Sequence, residues 1–160
     1  MLSVEEARER ILSFFHVLDS ERKPILDALG QVLAEDVKGH FDIPPMTNSA
    51  MDGYALRFAD LNESSLQVVG TAWAGKAFTG SVGSGQCVRI MTGAVMPEGT
   101  DTIVMQEHVE QQDGGIRTAD GQKQGQHVRY AGEDLAAGAT ALVAGRRLLP
   151  GDIGMVASLG

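Results

Sequence analysis

Apolar positions near the start of the chain fall at helical spacing. Val4, Ala7, Ile11, Phe14, Phe15 and Leu18 share one face, and Glu6 with Arg10 forms an i,i+4 pair on the other. Ser3 followed by Glu6 is a capping-box signature, so the spacing predicts a helix over roughly 3–17. Pro24 opens a second helical stretch with Leu26, Leu29, Val32 and Leu33 on its apolar face and the first helix as its expected partner; Gly30 in its middle costs about 1 kcal/mol relative to Ala. From Pro44-Pro45 the pattern turns to short β-like runs: Tyr54–Arg57, Leu66–Gly70, Cys87–Met91, Thr102–Gln106, Ile116–Thr118 and His127–Tyr130. Asp113-Gly114-Gly115 is a hairpin turn signal, and the links between runs look too short for helical crossovers, which favours an antiparallel barrel or sandwich. After Pro150-Gly151-Asp152, the residues Ile153, Val156, Ala157 and Leu159 predict a short helix with Gly160 at its C-cap, packed on the N-terminal helices.

The expected fold class is therefore mixed α+β. A distorted β-barrel-like domain (44–139) is inserted between two parts of a small helical or mixed domain (1–43 plus 140–160). Glycine placement agrees, with three of the 20 glycines before position 70 and the rest from Gly70 onward.

Charge narrows the choice of partners. With 13 Lys+Arg against 21 Asp+Glu the net charge is −8, which argues against nucleic acid or an anionic membrane surface. No run of about 18 apolar residues occurs, and Glu5, Glu6 and Glu9 stand where an export signal would carry a basic flank, so neither a membrane span nor a leader is expected. Cys87 is the single cysteine, which makes an intrachain disulfide impossible and the cytoplasm the default compartment; inside an apolar run it reads as a buried small hydrophobe. His16, His40, His108 and His127 are scattered without metal-ligand spacing.

Three loops could carry chemistry. Thr47 to Tyr54, just after the two prolines, gathers two hydroxyls, an amide and the Asp52 carboxylate beside a flexible Gly53. Such a loop suits a hydrated divalent cation or a polar ligand, and it equally suits a purely structural turn. In Arg89 to Gly93, Gly93 and the Thr92 hydroxyl have the makings of a small anion nest, or of a plain strand end. In Arg129 to Asp134 one cation precedes two adjacent carboxylates, which could hold Mg²⁺, clamp an arginine or simply be solvated.

Taken jointly, PPMTNSAMDGYAL (Pro44–Leu56), RIMTGAVMPEGTDTIVMQE (Arg89–Glu107) and the segment Val128–Gly160 closely resemble the N-terminal part of the molybdopterin molybdenumtransferase family, which includes the gephyrin E domain. LDALGQVLAEDV (Leu26–Val37) is similar to that family's second helical segment, so the resemblance runs the length of the chain. It implies the last step of molybdenum cofactor synthesis, in which molybdate is inserted into molybdopterin and the adenylylated pterin is hydrolysed with Mg²⁺. It also implies a cytoplasmic homodimer and, as partner, a molybdopterin adenylyltransferase or its product. Asp52 and Thr92 are the catalytic positions so implied, with Asp52 also a candidate Mg²⁺ ligand; Ser49, Gly93 and Asp134 are the substrate contacts. The family continues past the point matching Gly160 into an α/β domain and a C-terminal β domain. The chain is thus expected to be the N-terminal region of a longer enzyme, inactive by itself. The alternative is a non-enzymatic scaffold or dimerisation module of the gephyrin type.

Overall fold

A computed structural model describes residues 2–160 and divides the chain into two compact units, Met1–Val37 with Leu142–Gly160, and Lys38–Ala141. The strands in chain order are β1 (Val37–Lys38), β2 (Asn48–Ser49), β3 (Gly53–Leu56), β4 (Gln67–Ala72), β5 (Gln86–Ile90), β6 (Thr102–Met105), β7 (Val109–Gln112), β8 (Gly115–Thr118), β9 (Val128–Arg129) and β10 (Thr140–Leu142). The helices are α1 (Val4–Leu12) and α2 (Pro150–Leu159). No helix among the described residues is long and apolar enough to cross a membrane.

The unit Lys38–Ala141 is built on a four-stranded sheet in the order β4-β5-β3-β6. Apolar side chains alternate across it and are buried on both faces. Ala55, Val88, Ile90 and Ile103 pack on one side with Ala72, Val82 and Ala94. Tyr54, Leu56, Cys87 and Val104 pack on the other with Leu66 and Ile116. Each large apolar side chain so buried contributes roughly 1.5–3 kcal/mol.

Two features correct the expectation of an antiparallel barrel. β4 runs parallel to β5, because the link from Trp73 to Gly85 is long enough for a crossover without a helix. The remaining pairs of this unit, β2 with β9 and β7 with β8, stay as separate two-stranded ladders, and no sheet among the described residues closes on itself. The β7–β8 hairpin turns through Asp113-Gly114, as its residues predict, with Gly114 at φ +82°. β7 itself gave no hydrophobic signal, since Glu110, Gln111 and Gln112 are all exposed.

In the other unit, α1 begins with the predicted capping box: Glu6 N–H donates to Ser3 Oγ at 3.1 Å and Ser3 N–H to Glu6 Oε2 at 2.8 Å. It ends at Leu12, short of the expected position 17. Ser13 turns its hydroxyl back on the Arg10 carbonyl, and the aromatic and β-branched residues that follow favour helix weakly. None of its residues is buried, so it does not serve as the packing partner expected for the following segments. The second predicted helix is absent apart from one 3-10 turn at Ile25–Asp27. Gly30 adopts φ +79°, and residues 30–33 run extended against 145–148, with Gly30 N–H donating to Leu148 O and Leu33 N–H to Arg146 O, both at 2.9 Å. A left-handed residue ends a helix, and these cross-chain bonds satisfy the same backbone groups. α2 forms as predicted, with Pro150 at its first turn and Asp152 accepting from Leu149 N–H at 2.9 Å; it lies against the Ile25–Asp27 turn.

Candidate functional site

The Asp52 loop is fastened at both ends before its carboxylate is placed. β2 pairs with β9, setting Asn48 opposite Arg129 and Ser49 opposite Val128. Ser49 N–H donates to Ala94 O at 3.0 Å, and Gly93 N–H donates to Ser49 O at 2.8 Å, so the loop after β5 is tied to the loop before β3. The Ser49 hydroxyl donates to Met51 O at 2.5 Å and accepts from Met51 N–H at 3.2 Å, closing a tight turn.

Asp52 then stands exposed at the head of β3. Its Oδ1 accepts from Thr92 N–H at 2.7 Å and from Thr92 Oγ1 at 2.8 Å. Oδ2 receives no hydrogen bond from any described residue. The backbone bond from Thr92 holds the Asp52 pKa below its ordinary value; the Thr92 hydroxyl and, more weakly, the Arg89 charge pull the same way, against partial desolvation of the carboxyl. The Asp52 carbonyl accepts from Gln106 N–H at 3.2 Å.

This arrangement bears on three readings. The anion nest at Thr92 and Gly93 exists, but Asp52 fills it: both Thr92 donors go to this carboxylate and the Gly93 N–H goes to Ser49. Ser49 is 1% exposed with its hydroxyl committed inside the turn, where it pins the loop. Gly53 is not a flexible hinge. A Cβ there would lie 2.2 Å from the Val104 carbonyl oxygen, so glycine is needed for the close approach of β6.

Asp134 is held elsewhere. Its Oδ2 pairs with Arg129 Nη2 at 2.5 Å, while Arg129 Nε bonds Glu133 Oε1 at 2.6 Å and Tyr130 N–H donates to Glu133 Oε2 at 2.8 Å. The Arg129 hydrogen bond holds the Glu133 pKa low. Of the readings left open for this loop, the arginine clamp is the one observed. No hydrogen bond or ion pair joins Asp134 to Asp52 or Thr92 among the described residues.

The described residues contain no group of three or more His, Cys, Asp or Glu able to hold a metal. The uncommitted Asp52 Oδ2 is a hard oxygen of the kind that would help hold a hydrated divalent cation. Cys87 is fully buried, and desolvation pushes its thiol up to about 12, consistent with its reading as a hydrophobe.

Residue-level reading missed the assembly behind Asp52. Arg89 Nη1 donates to Gly53 O at 3.0 Å, Nη2 donates to Gln106 Oε1, and the guanidinium lies 5.1 Å from the Tyr54 ring centroid. The available signal was a lone cation between the apolar residues Val88 and Ile90 of the strand QCVRI.

Fold and site together define a class: a mixed α/β chain in which a sheet-built unit interrupts a smaller one and carries an exposed, anchored carboxylate on a braced loop. The model of the MoeA N-terminal region (domain I and II) matches residues 2–160, and the chain belongs to that family. A molybdopterin molybdenumtransferase of Haemophilus influenzae is 39% identical over 163 residues, covering 100% of this chain and 40% of the relative. One of Nostoc sp. is 37% identical, covering 99% of this chain and 38% of the relative. A crystal structure of the molybdopterin biosynthesis moeA protein from Pyrococcus horikoshii OT3 superposes with a TM-score of 0.90 at 33% identity, over 98% of this chain and 43% of that one. The chain thus spans about 40% of the length of these relatives.

Proposed function

We propose that this chain is the N-terminal region of a molybdopterin molybdenumtransferase, which inserts molybdate into adenylylated molybdopterin in the last step of molybdenum cofactor synthesis. Support comes from the family match over residues 2–160 and from relatives that carry this activity as their name. The observation that carries the chemistry is the Asp52 carboxylate, fixed through Oδ1 by both donors of Thr92 with Oδ2 uncommitted.

In this reading Asp52 stays ionised at neutral pH and Thr92 locks its rotamer, so that Oδ2 faces the ligand as a preset acceptor. Asp52 would help hold a Mg²⁺ ion, whose positive charge would offset the phosphate charge that an acidic chain repels. Ser49 and Gly93 hold the two loops in register. Asp134, clamped by Arg129, stiffens the strand beside Asn48 and acts on a substrate only if that ion pair opens. The inserted unit takes the part of the family's barrel-like domain. The discontinuous unit serves as linker and dimerisation region of a cytoplasmic homodimer fed by a molybdopterin adenylyltransferase. The scaffold reading is not favoured, because the curated relatives are named as transferases.

The test is Asp52→Asn in the protein that carries this chain, assayed by molybdate-dependent conversion of adenylylated molybdopterin. It keeps shape and removes charge, and a loss of at least about 100-fold in rate is expected for a group that organises the reacting phosphates. Cofactor formation at the unsubstituted rate would refute the role. The purified 160-residue chain alone is expected to show no insertion, since no nucleophile and general-base pair accompanies Asp52 in its loop.

A further inference from the structure

Beside the Asp52 turn lies a hollow of about 340 Å³ lined by Tyr54, Arg89, Gln106, Glu107, Val109 and Gln111. Much of its polar wall is bonded internally. Arg89 Nη2 donates to Gln106 Oε1, and Gln106 Nε2 donates to Glu107 Oε1 at 3.2 Å. A ligand site presents uncommitted groups, whereas these three side chains form a connected network. The network is attached to the turn through two successive carbonyls. Gln106 N–H holds Asp52 O at 3.2 Å, and Arg89 Nη1 holds Gly53 O at 3.0 Å.

We infer that Arg89, seated on the Tyr54 ring and braced by Gln106, is a positioning residue that fixes the Asp52–Gly53 backbone and thereby aims the Asp52 carboxylate at Thr92. Tyr54 is the direct cross-strand partner of Arg89 across β3 and β5, which places the ring under the guanidinium. Only a planar fork reaches two acceptors while stacking on a ring, so lysine is no substitute. The functional meaning of this brace rests on Asp52 acting as proposed above; its geometry does not.

The Thr92 amide, which donates to Asp52 Oδ1 at 2.7 Å, reports the brace directly in the 160-residue chain. In Arg89→Met its hydrogen exchange is expected to accelerate about tenfold and its proton shift to move upfield, while the core amides of Val88 and Ile103 keep theirs. Arg89→Lys should fall between. Gln106→Ala, at an exposed position, should shift the Thr92 amide the same way by a smaller factor, and it decides the matter if Arg89→Met does not fold. An unchanged Thr92 amide, or equal acceleration across β3 and β5, overturns the inference. In the active protein Arg89→Met should lower kcat more than it changes KM and add nothing to the loss from Asp52→Asn; additive losses also overturn it. Full activity of Asp52→Asn would refute the proposed function alone, with the Thr92 amide still deciding the brace.

Discussion

Gly53→Ala asks whether the turn carrying Asp52 is seated by close backbone approach. The added Cβ would meet Val104 O at 2.2 Å, Val104 C at 2.9 Å and Met105 Cα at 3.1 Å. An ordinary carbon–oxygen contact is about 3.3 Å, so β3 and β6 must part by about 1 Å. Both sides of the clash are backbone, and β3 is held from behind by β5, which leaves no easy relaxation. Overpacking of this kind costs about 1–3 kcal/mol, and each ladder bond loosened between β3 and β6 adds about 0.5–1.5 kcal/mol. A total near 3 kcal/mol is expected, lowering the midpoint by about 10 °C for a chain of this size. Trp73 is the single tryptophan and lies in the unit Lys38–Ala141, so its fluorescence during urea unfolding follows that unit. Gly154→Ala is the contrast. It sits in α2 with nothing within 4 Å of a built Cβ, and it should stabilise its own unit by about 0.5–1 kcal/mol without moving the Trp73 transition. A loss below about 1 kcal/mol in Gly53→Ala, with unchanged denaturant dependence, would show that β6 yields and that the seating argument is wrong.

Two further outcomes follow from the titrating groups. Cys87, raised to about 12 by burial, should resist an aromatic disulfide reagent in the native chain at pH 8 and react only on unfolding, and rapid native labelling would contradict its burial. Because its folded pKa is raised, the native state keeps the full benefit below the ordinary thiol value and loses it as pH climbs from there toward 12. Thr92→Val keeps shape and deletes one of the two donors to Asp52 Oδ1, so the Asp52 carboxyl, followed by carbon-13 NMR, should titrate closer to its ordinary value. The Asp52 pKa is depressed, so its contribution is present above the ordinary carboxylate range and fades as pH falls through the lowered folded value; identical midpoints in the two proteins would show that the hydroxyl bond is not made.

How legible each part was depended on whether its determinants lie close in sequence. The α1 capping box, the Asp113-Gly114 turn and the Pro150 start of α2 need only residues three or four apart, and all were readable. The segment after Pro24 failed because its apolar spacing fits a helix, while its backbone partners lie more than 100 residues away at 145–148. The parallel β4–β5 pair was missed for a similar reason, since a crossover need not be a helix. Asp52 and Thr92 were each recognisable as candidates in separate motifs. Nothing local said that one would fill the other's anion nest, across 40 positions.

What residue order alone determined was therefore the local grammar and the kinship: caps, turns, the change from helical to β patterning near Pro44, and motifs sufficient to name a family. Tertiary structure decided which polar groups remain free. Pairing of β3 with β5 and β6 brings Asp52, Thr92, Arg89 and Gln106 together; the Ser49 hydroxyl and the Gly93 N–H are then spent on the loops themselves, while Asp52 Oδ2 is not. The physical reason is that hydrogen-bonding capacity is finite and is allotted by proximity in space, which sequence spacing does not record.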